Sequence, residues 1–351
     1  MDNWIKLIKR ILEFKITKGD TKMKRFYTVL SIIIIFFTNF SEGVETRIEK
    51  KTIEKIQTIK FGVFSPGFYG LAPLYVSIEN GYLKEEAIKV DFIQLSDPQL
   101  TLAIANGQIE AGVGSLPNPV YAIAKGLPIK LVAAANVIPP NRLYENILIR
   151  KGSDIRKIED LRGKKISVGS KRGWPGIMMA YYFKRHGISL ADSTFVEGIP
   201  LPQQKEAFEM GQIDAAYGGE PFVTMIIKAG VAEYLPIKEP WSGVNNFICF
   251  NNDYLNKKPD VVKRFLKAYV RGINYALEHE TETRRIIAKF ARLSEEIALQ
   301  MKLGDWKRTW DKFGRIDVQG LKEFEQLMLT LGFLEKQSRV ENNVDQSFLP
   351  K

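Results

Sequence analysis

The sequence predicts an α/β protein of two similar lobes, each built on an open, mostly parallel sheet with helices packed against it. Three observations lead there. Apolar strand-like stretches alternate with helical ones at the pitch of parallel α/β units. The heptapeptide GQIEAGV at 107–113 returns as GQIDAAY at 211–217, and the spacing of 104 also relates Pro117 to Pro221 and Gly126 to Gly230. Upstream, VFSPGFYGLAP aligns with VGSKRGWPGIM at nearly the same offset, Val63 on Val168 and Ser65 on Ser170. A period that long excludes a solenoid and fits two copies of one lobe.

In the first copy, strands fit TIKFGVF, IKVDFIQL, IEAGVG and IKLVAAAN, with helices over 72–80, 98–106 and 117–125. In the second, strands fit KISVGS, STFVEG and IDAAYG, with helices near 175–186, 202–210 and 221–229. Pro73, Pro98, Pro117, Pro175, Pro202 and Pro221 stand at or near the six helix starts. Proline is favoured there because first-turn amides have no intrahelical partner. Each helix follows a strand, so its N-terminus is expected at the carboxyl edge of a sheet, where open α/β sheets bind ligands. Two such edges facing each other would form a cleft able to close on a small molecule. After 244, NFICFNNDYL fits a strand returning to the first lobe, followed by helices over 260–333. Lobe 1 is then 57–140 with 245–335, lobe 2 is 141–244, and a tail covers 336–351. The chain is expected to cross between lobes near 136–146 and 236–246.

At 351 residues, with 45% hydrophobic and 26% charged side chains, the chain is long enough for two such lobes. Its net charge of +11 first suggests nucleic acid or a membrane surface. Residues 1–25 alone hold eight Lys/Arg against three Asp/Glu, so +5 of that charge is local. No basic stripe interleaved with aromatics follows, and nucleic acid is not an expected partner.

Lys24 and Arg25, the apolar run Phe26–Phe37 and the small residues Ser41 and Gly43 have the layout of a secretory signal peptide over 23–43. No Cys follows, so the leader is not of the lipoprotein type, and the protein is expected to be exported to the periplasm. Residues 1–22 are unusual before such a leader. They are expected to be an untranslated or dispensable extension, with Met23 as the start; the alternative is a basic amphipathic extension, WIKLIKRILEFKI.

The stretch KKISVGSKRGWPGIMMAYYF, 164–183, holds a strand, a glycine loop and a helix start, the parts of a phosphate cradle. A P-loop needs G-x-x-x-x-G-K-[ST], whereas Gly176 is followed by Ile177 and Met178, and G-x-G-x-x-G is missing too. What remains is a helix N-terminus whose free amides suit an anionic or polar ligand. The single Cys249 lies in the strand-like NFICFNN and fits a buried small hydrophobe; His186 and His279 fit helix surfaces. Catalysis through histidine, thiolate or metal therefore has little material here, and neither cofactor nor metal is expected.

The combination APLYVSIENGYLKEEAIKVDF, GQIEAGVGSLP, IRKIEDLRGKKISVGS and GQIDAAYGGEP resembles the periplasmic substrate-binding proteins of ABC importers, over roughly 57–335. The nearest group handles nitrate, sulfonates, taurine and thiamine precursors. The resemblance implies a type II periplasmic binding protein fold, a small-molecule ligand, delivery to ABC permease subunits in the membrane, and a monomer. By position it implies ligand-binding loops at Ser65, Gly67, Phe68 and Tyr69; at Gly114, Ser115 and Asn118; at Ser170, Arg172 and Trp174; and at Gly219 and Glu220, before Pro221. The alternatives are interlobe packing for Phe68, Tyr69 and Trp174, a solvated loop charge for Arg172, and a helix cap for Glu220. An Arg172 facing the cleft would suit carboxylate, sulfonate or nitrate oxygens, whereas the aromatics would suit a flat pyrimidine-like ring. Relatives of this fold that make the thiamine pyrimidine use a cysteine-rich motif and a histidine; with one Cys and two His placed on helix surfaces this chain departs from that pattern, so no enzyme is expected. A sensor or partner-binding protein that kept the fold is the other alternative.

Overall fold

Two five-stranded sheets organise the described residues, 55–139, 147–237 and 241–351, of the computed structural model. The expected leader at 23–43 and the extension at 1–22 lie outside them. The chain lays down β1 (Gln57–Val63), β2 (Ile88–Gln94), β3 (Ala111–Ser115) and β4 (Ile129–Ile138) in lobe 1. It continues in lobe 2 with β5 (Ile147–Arg150), β6 (Lys165–Gly169), β7 (Thr194–Glu197), β8 (Ala215–Tyr217) and β9 (Ala232–Tyr234), and returns as β10 (Gly243–Asn251). The orders are β2-β1-β3-β10-β4 and β7-β6-β8-β5-β9.

Each sheet is parallel except for one strand. β10 runs antiparallel to β3 and β4, and β5 runs antiparallel to β8 and β9. Both are the first strand after a passage between sheets. The chain enters them at the carboxyl edge of the parallel strands and so runs the opposite way. β5 and β9, only four and three residues long, were not among the strands expected from the sequence.

β3 and β10 lie inside their sheet, and nearly every residue of each is buried, which explains the small and apolar residues of β3 and the apolar FICF of β10. β4 is an edge strand, and its outer side is covered. Ala134 N donates to Gly314 O and Val137 N to Thr309 O, while Leu131 bridges to Val344. These contacts occupy backbone groups that an open edge would offer to another chain. The segment after 336 thus packs against lobe 1, with Val340 fully buried.

Helices follow the strands as α1 (Ala72–Glu79), α2 (Tyr82–Glu85), α3 (Asp97–Ala105), α4 (Asn118–Ala124), α5 (Trp174–Arg185), α6 (Gln204–Glu209) and α7 (Phe222–Lys228). Pro73, Pro98 and Pro175 occupy first turns, and Pro202 opens a short 3-10 turn before α6. Pro117 and Pro221 correct the expectation by one position. Each follows a cis peptide bond and is the N-cap, so its helix begins one residue later.

The remaining helices are α8 (Asn252–Lys257), α9 (Pro259–Glu278), α10 (Glu280–Ala291), α11 (Glu295–Gln300) and α12 (Val318–Thr330). α9 buries Val262, Phe265, Leu266, Tyr269 and Ile273, an i, i+3/i+4 stripe. Gly272 lets this helix sit on α1, since a Cβ there would lie 2.0 Å from Pro73 O.

Candidate functional site

The carboxyl edges of the two sheets meet. On the lobe 1 side, β3 is AGVGS because its neighbours come close: a Cβ on Gly112 would lie 2.9 Å from Gly62 O, and one on Gly114 would lie 2.7 Å from Cys249 Sγ. At the strand's end Ser115 stands in register with Asn246 of β10. Asn246 Nδ2 donates to Asn136 Oδ1 of β4 (2.8 Å), and Asn136 Nδ2 donates to Tyr69 OH (3.4 Å). A polar row therefore crosses three strands and ends on the loop after β1. Tyr69 and Ser115 are 8% exposed, Asn136 1% and Asn246 2%. Oδ1 of Asn245 and Oδ1 of Asn246 are buried without a hydrogen-bond partner, as is Nε1 of Trp241. Each such atom costs about 1–3 kcal/mol unless something bonds to it.

The lobe 2 side is the loop Ser170–Trp174. Gly169 turns the chain at φ +66°, Ser170 O accepts from Gly173 N (3.1 Å), and Lys171 N donates to Glu197 Oε1 (2.7 Å). Gly176 is required where it stands: a Cβ there would lie 2.1 Å from Lys171 O. Trp174 is 92% buried in effect, being only 8% exposed, and its Nε1 donates to Tyr217 OH (3.1 Å). Its ring stacks on Phe324 of α12 at 5.5 Å and meets Trp241 edge-on at 6.4 Å.

Arg172 is exposed and reaches across to lobe 1. Its guanidinium lies 4.5 Å over the Tyr121 ring of α4 and donates to Phe333 O (3.2 Å). Burial pushes the Tyr121 hydroxyl up to about 12, with Arg172 opposing the shift. Glu220 is buried; Oε2 accepts from Thr224 N (3.1 Å), and Oε1 accepts from Thr224 Oγ1 (3.0 Å) and from Lys302 N (3.1 Å). It therefore caps the first turn of α7 and ties that helix to the segment after α11.

The residues singled out from the sequence fall into several groups. Tyr69 and Ser115 belong to the polar row. Asn118 is buried at the start of α4, and the Ser115 hydroxyl donates to Leu116 O (3.5 Å). Ser170, Arg172 and Trp174 form one loop, with Arg172 and Trp174 engaged by lobe 1 partners. Phe68 packs on Phe64 and Tyr69, at 4.6 and 5.3 Å. Gly67 is a packing point, since a Cβ would lie 2.2 Å from Ala291 Cβ. Ser65 closes a turn through its carbonyl, which accepts from Phe68 N (3.3 Å), and Gly219 O accepts from Val223 N (3.2 Å) at the start of α7. Asn136, Asn245, Asn246 and Trp241 were not anticipated. The asparagines left a trace, as polar residues inside otherwise apolar strands, VAAANVI and VNNFICF.

A separate cavity of about 400 Å³, lined by Val137, Arg308, Trp310, Asp311 and Arg315 among others, lies on the outer edge of β4. Cys249 is fully buried in β10, its thiol pushed up by burial. His186 pairs with Glu159 (2.8 Å) at the end of α5. Among the described residues no three His, Cys, Asp or Glu side chains are grouped to hold a metal ion.

A family model described as NMT1/THI5 like matches residues 69–283, more than half of the chain. The 4-amino-5-hydroxymethyl-2-methylpyrimidine phosphate synthase THI13 of Saccharomyces cerevisiae is 26% identical over 226 residues, 58% of this chain and 63% of its own length. The chain thus spans less than two thirds of the yeast synthases it matches. YtlA of Bacillus subtilis, provisionally described as a binding protein, is 25% identical over 262 residues, 73% of this chain and 75% of its own. The alkanesulfonate-binding protein SsuA from Xanthomonas axonopodis pv. citri, bound to MOPS, superposes with a TM-score of 0.67 at 19% identity, covering 83% of this chain and 99% of that one. The fold is that of the periplasmic binding proteins.

Proposed function

Because the chain belongs to the NMT1/THI5-like family, we propose that it is the solute-binding component of an ABC importer. Exported to the periplasm, it captures a small anionic or heterocyclic solute between its lobes and delivers it to the membrane permease. The observation that carries this function is the buried polar row Tyr69–Asn136–Asn246, with the unpartnered Oδ1 atoms of Asn245 and Asn246 beside it. Such acceptors suit capture of a polar molecule in a closing cleft. The synthases among the relatives raise the question of an enzyme, but the lone thiol here is buried in a strand and His186 is paired at the surface. Those positions suit a carrier better than a catalyst.

Within this function a neutral heterocycle fits better than an oxyanion. The unpartnered side-chain oxygens accept hydrogen bonds and would repel anionic oxygens, whereas amino groups on a flat ring would satisfy them. Trp174 and Trp241 meet edge-on and provide ring surfaces a flat ligand could use. Arg172, the guanidinium an anion would need, is engaged by Tyr121 and Phe333 O.

A thermal-shift screen of the purified chain with ethanesulfonate, nitrate and 4-amino-2-methylpyrimidine tests both levels. A ligand at a hundredfold excess over Kd stabilises the folded state by about 2.7 kcal/mol. A shift with any of the three supports a carrier, and a shift with the aminopyrimidine alone supports the heterocycle. No shift with any of them at millimolar concentration would defeat the importer proposal.

A further inference from the structure

The loop 305–317 runs along the outer side of β4 and is pinned to it twice: Thr309 O accepts from Val137 N and Gly314 O from Ala134 N, both at 2.9 Å. Trp310 is buried and its Nε1 donates to Gly70 O (3.2 Å), while Ile316 N donates to Gln346 Oε1 (2.8 Å) in the tail. The cavity of about 400 Å³ lies between this loop and β4. Val137, Trp310 and Ile316 give it an apolar wall, and the exposed Arg308 and Arg315 bring two guanidiniums to it. Asp311 and Asp317 line it too, yet among the described residues neither guanidinium is in an ion pair. The carboxylates are turned to the backbone instead. Asp311 Oδ1 accepts from Phe313 N and Arg315 N, each at 2.9 Å, and Asp317 Oδ1 accepts from Gly320 N (2.9 Å) at the start of α12. Arg315 stacks on the Phe313 ring at 4.6 Å, which uses the face of its guanidinium and leaves the N–H groups in its plane as donors.

We propose that this cavity is a second ligand site, outside the interlobe cleft, for a small organic oxyanion: a carboxylate, sulfonate or phosphate group carried on an apolar body. Arg308 and Arg315 stand on one held loop and present planar forks of donors, which match the oxygens of such a group. Asp311 and Asp317 serve the loop and the helix cap, which keeps them off the arginines. The apolar wall takes the body of the ligand, and the volume falls within the usual range of small-molecule pockets, about 300–1,000 Å³. A bare inorganic ion would leave that wall uncovered, and a neutral ring would leave the guanidiniums unmatched.

The site stands apart from the solute cleft but is joined to it through two wall residues. Val137 follows Asn136 in β4, and Trp310 donates to Gly70, the neighbour of Tyr69; Asn136 and Tyr69 are members of the polar row. The Trp310 indole N–H therefore reports on the cavity with no solute in the cleft. The proposal does not rest on the importer function.

The test uses the full chain with phenyl phosphate as the probe, and inorganic phosphate and benzyl alcohol as its two halves. Calorimetry should show phenyl phosphate binding more tightly than either half. Arg308→Gln and Arg315→Gln should each weaken it by about tenfold, as expected for loss of a hydrogen bond to a charged group. In the same titration the Trp310 indole N–H resonance, identified by its absence in Trp310→Phe, should shift. Both arginines are exposed, so the melting curves of their variants should match the wild type. No binding of phenyl phosphate at millimolar concentration overturns the proposal, as does either half binding as tightly as the whole. Binding that survives both arginine substitutions, or leaves the Trp310 resonance unmoved, belongs elsewhere on the chain and overturns it too. A cleft that takes no solute defeats the importer proposal instead and leaves the test of the cavity unchanged.

Discussion

The sheet order β2-β1-β3-β10-β4 of lobe 1 maps onto β7-β6-β8-β5-β9 of lobe 2, strand for strand. α4 and α7 keep the 104-residue spacing at both ends, and Gly107 and Gly211 have φ of 69° and 68°. Within that common plan the lobes differ in strand length. β4 and β10 run ten and nine residues, whereas their counterparts β9 and β5 run three and four. Lobe 1 stacks Phe61, Phe265 and Tyr269 between its sheet and α9. Lobe 2 shares in the main core through Ile166, Met178 and Phe183 and holds a small separate cluster around Leu148, Phe208, Ile213 and Val223. The polar side chains that need exact placement are on the long strands, where neighbours on both sides fix their rotamers. The short-stranded lobe contributes loops that reach across, with Trp174 and Arg172 at their tips.

The contrast between the long-stranded and short-stranded lobes is most exposed to a pair of core truncations. Phe265→Ala should cost about 3–5 kcal/mol, the usual range for a fully buried aromatic, and Phe208→Ala should cost clearly less. Urea melts of both variants measure this, and equal losses would show that the lobes are equally dependent on their cores. Gly176→Ala comes next. The added methyl meets a backbone carbonyl rather than a flexible side chain, so about 1–3 kcal/mol of overpacking is expected. Its tryptophan fluorescence should also change as Trp174 moves. Stability loss with unaltered fluorescence would mean that the loop does not set that ring.

Asn246→Ala tests the division of polar roles. It removes the donor to Asn136 Oδ1 and should cost about 1–2 kcal/mol of stability. Affinity for whichever solute binds should fall about tenfold. Retained affinity would separate the polar row from the binding site. The smallest effect is expected for Arg172→Ala. An exposed cation–π contact contributes about 0.5–1 kcal/mol, so the melting curve should barely move and affinity for a neutral ligand should weaken by less than about fivefold. A hundredfold loss measured by calorimetry would place the guanidinium on the ligand and favour an anion.

Much of the architecture was legible before any coordinates. The repeat at 107–126 and 211–230, the strand–helix alternation and the prolines at helix starts are local signals, because periodicity records which face of a segment is buried. The passage of WPGIMMAYYF into a helix was legible for the same reason. β5 and β9 were not, being too short for a period to register, and the direction of β10 depends on where the chain re-enters the sheet.

The site divides along the same line. Composition and periodicity by themselves determined that the chain has two related α/β lobes whose helix N-termini line the carboxyl edges, and that histidine and cysteine chemistry is scarce. Only the tertiary structure decided that Asn136 and Asn246, 110 residues apart, share a hydrogen bond, and that Tyr69 completes their row. It also turned Arg172 onto Tyr121 and Phe333, and Glu220 onto Thr224 and Lys302, when each had been a candidate ligand contact. The physical reason is that a polar side chain takes its role from the donors and acceptors brought beside it. Those neighbours are chosen by strand order and lobe packing, which no local pattern encodes.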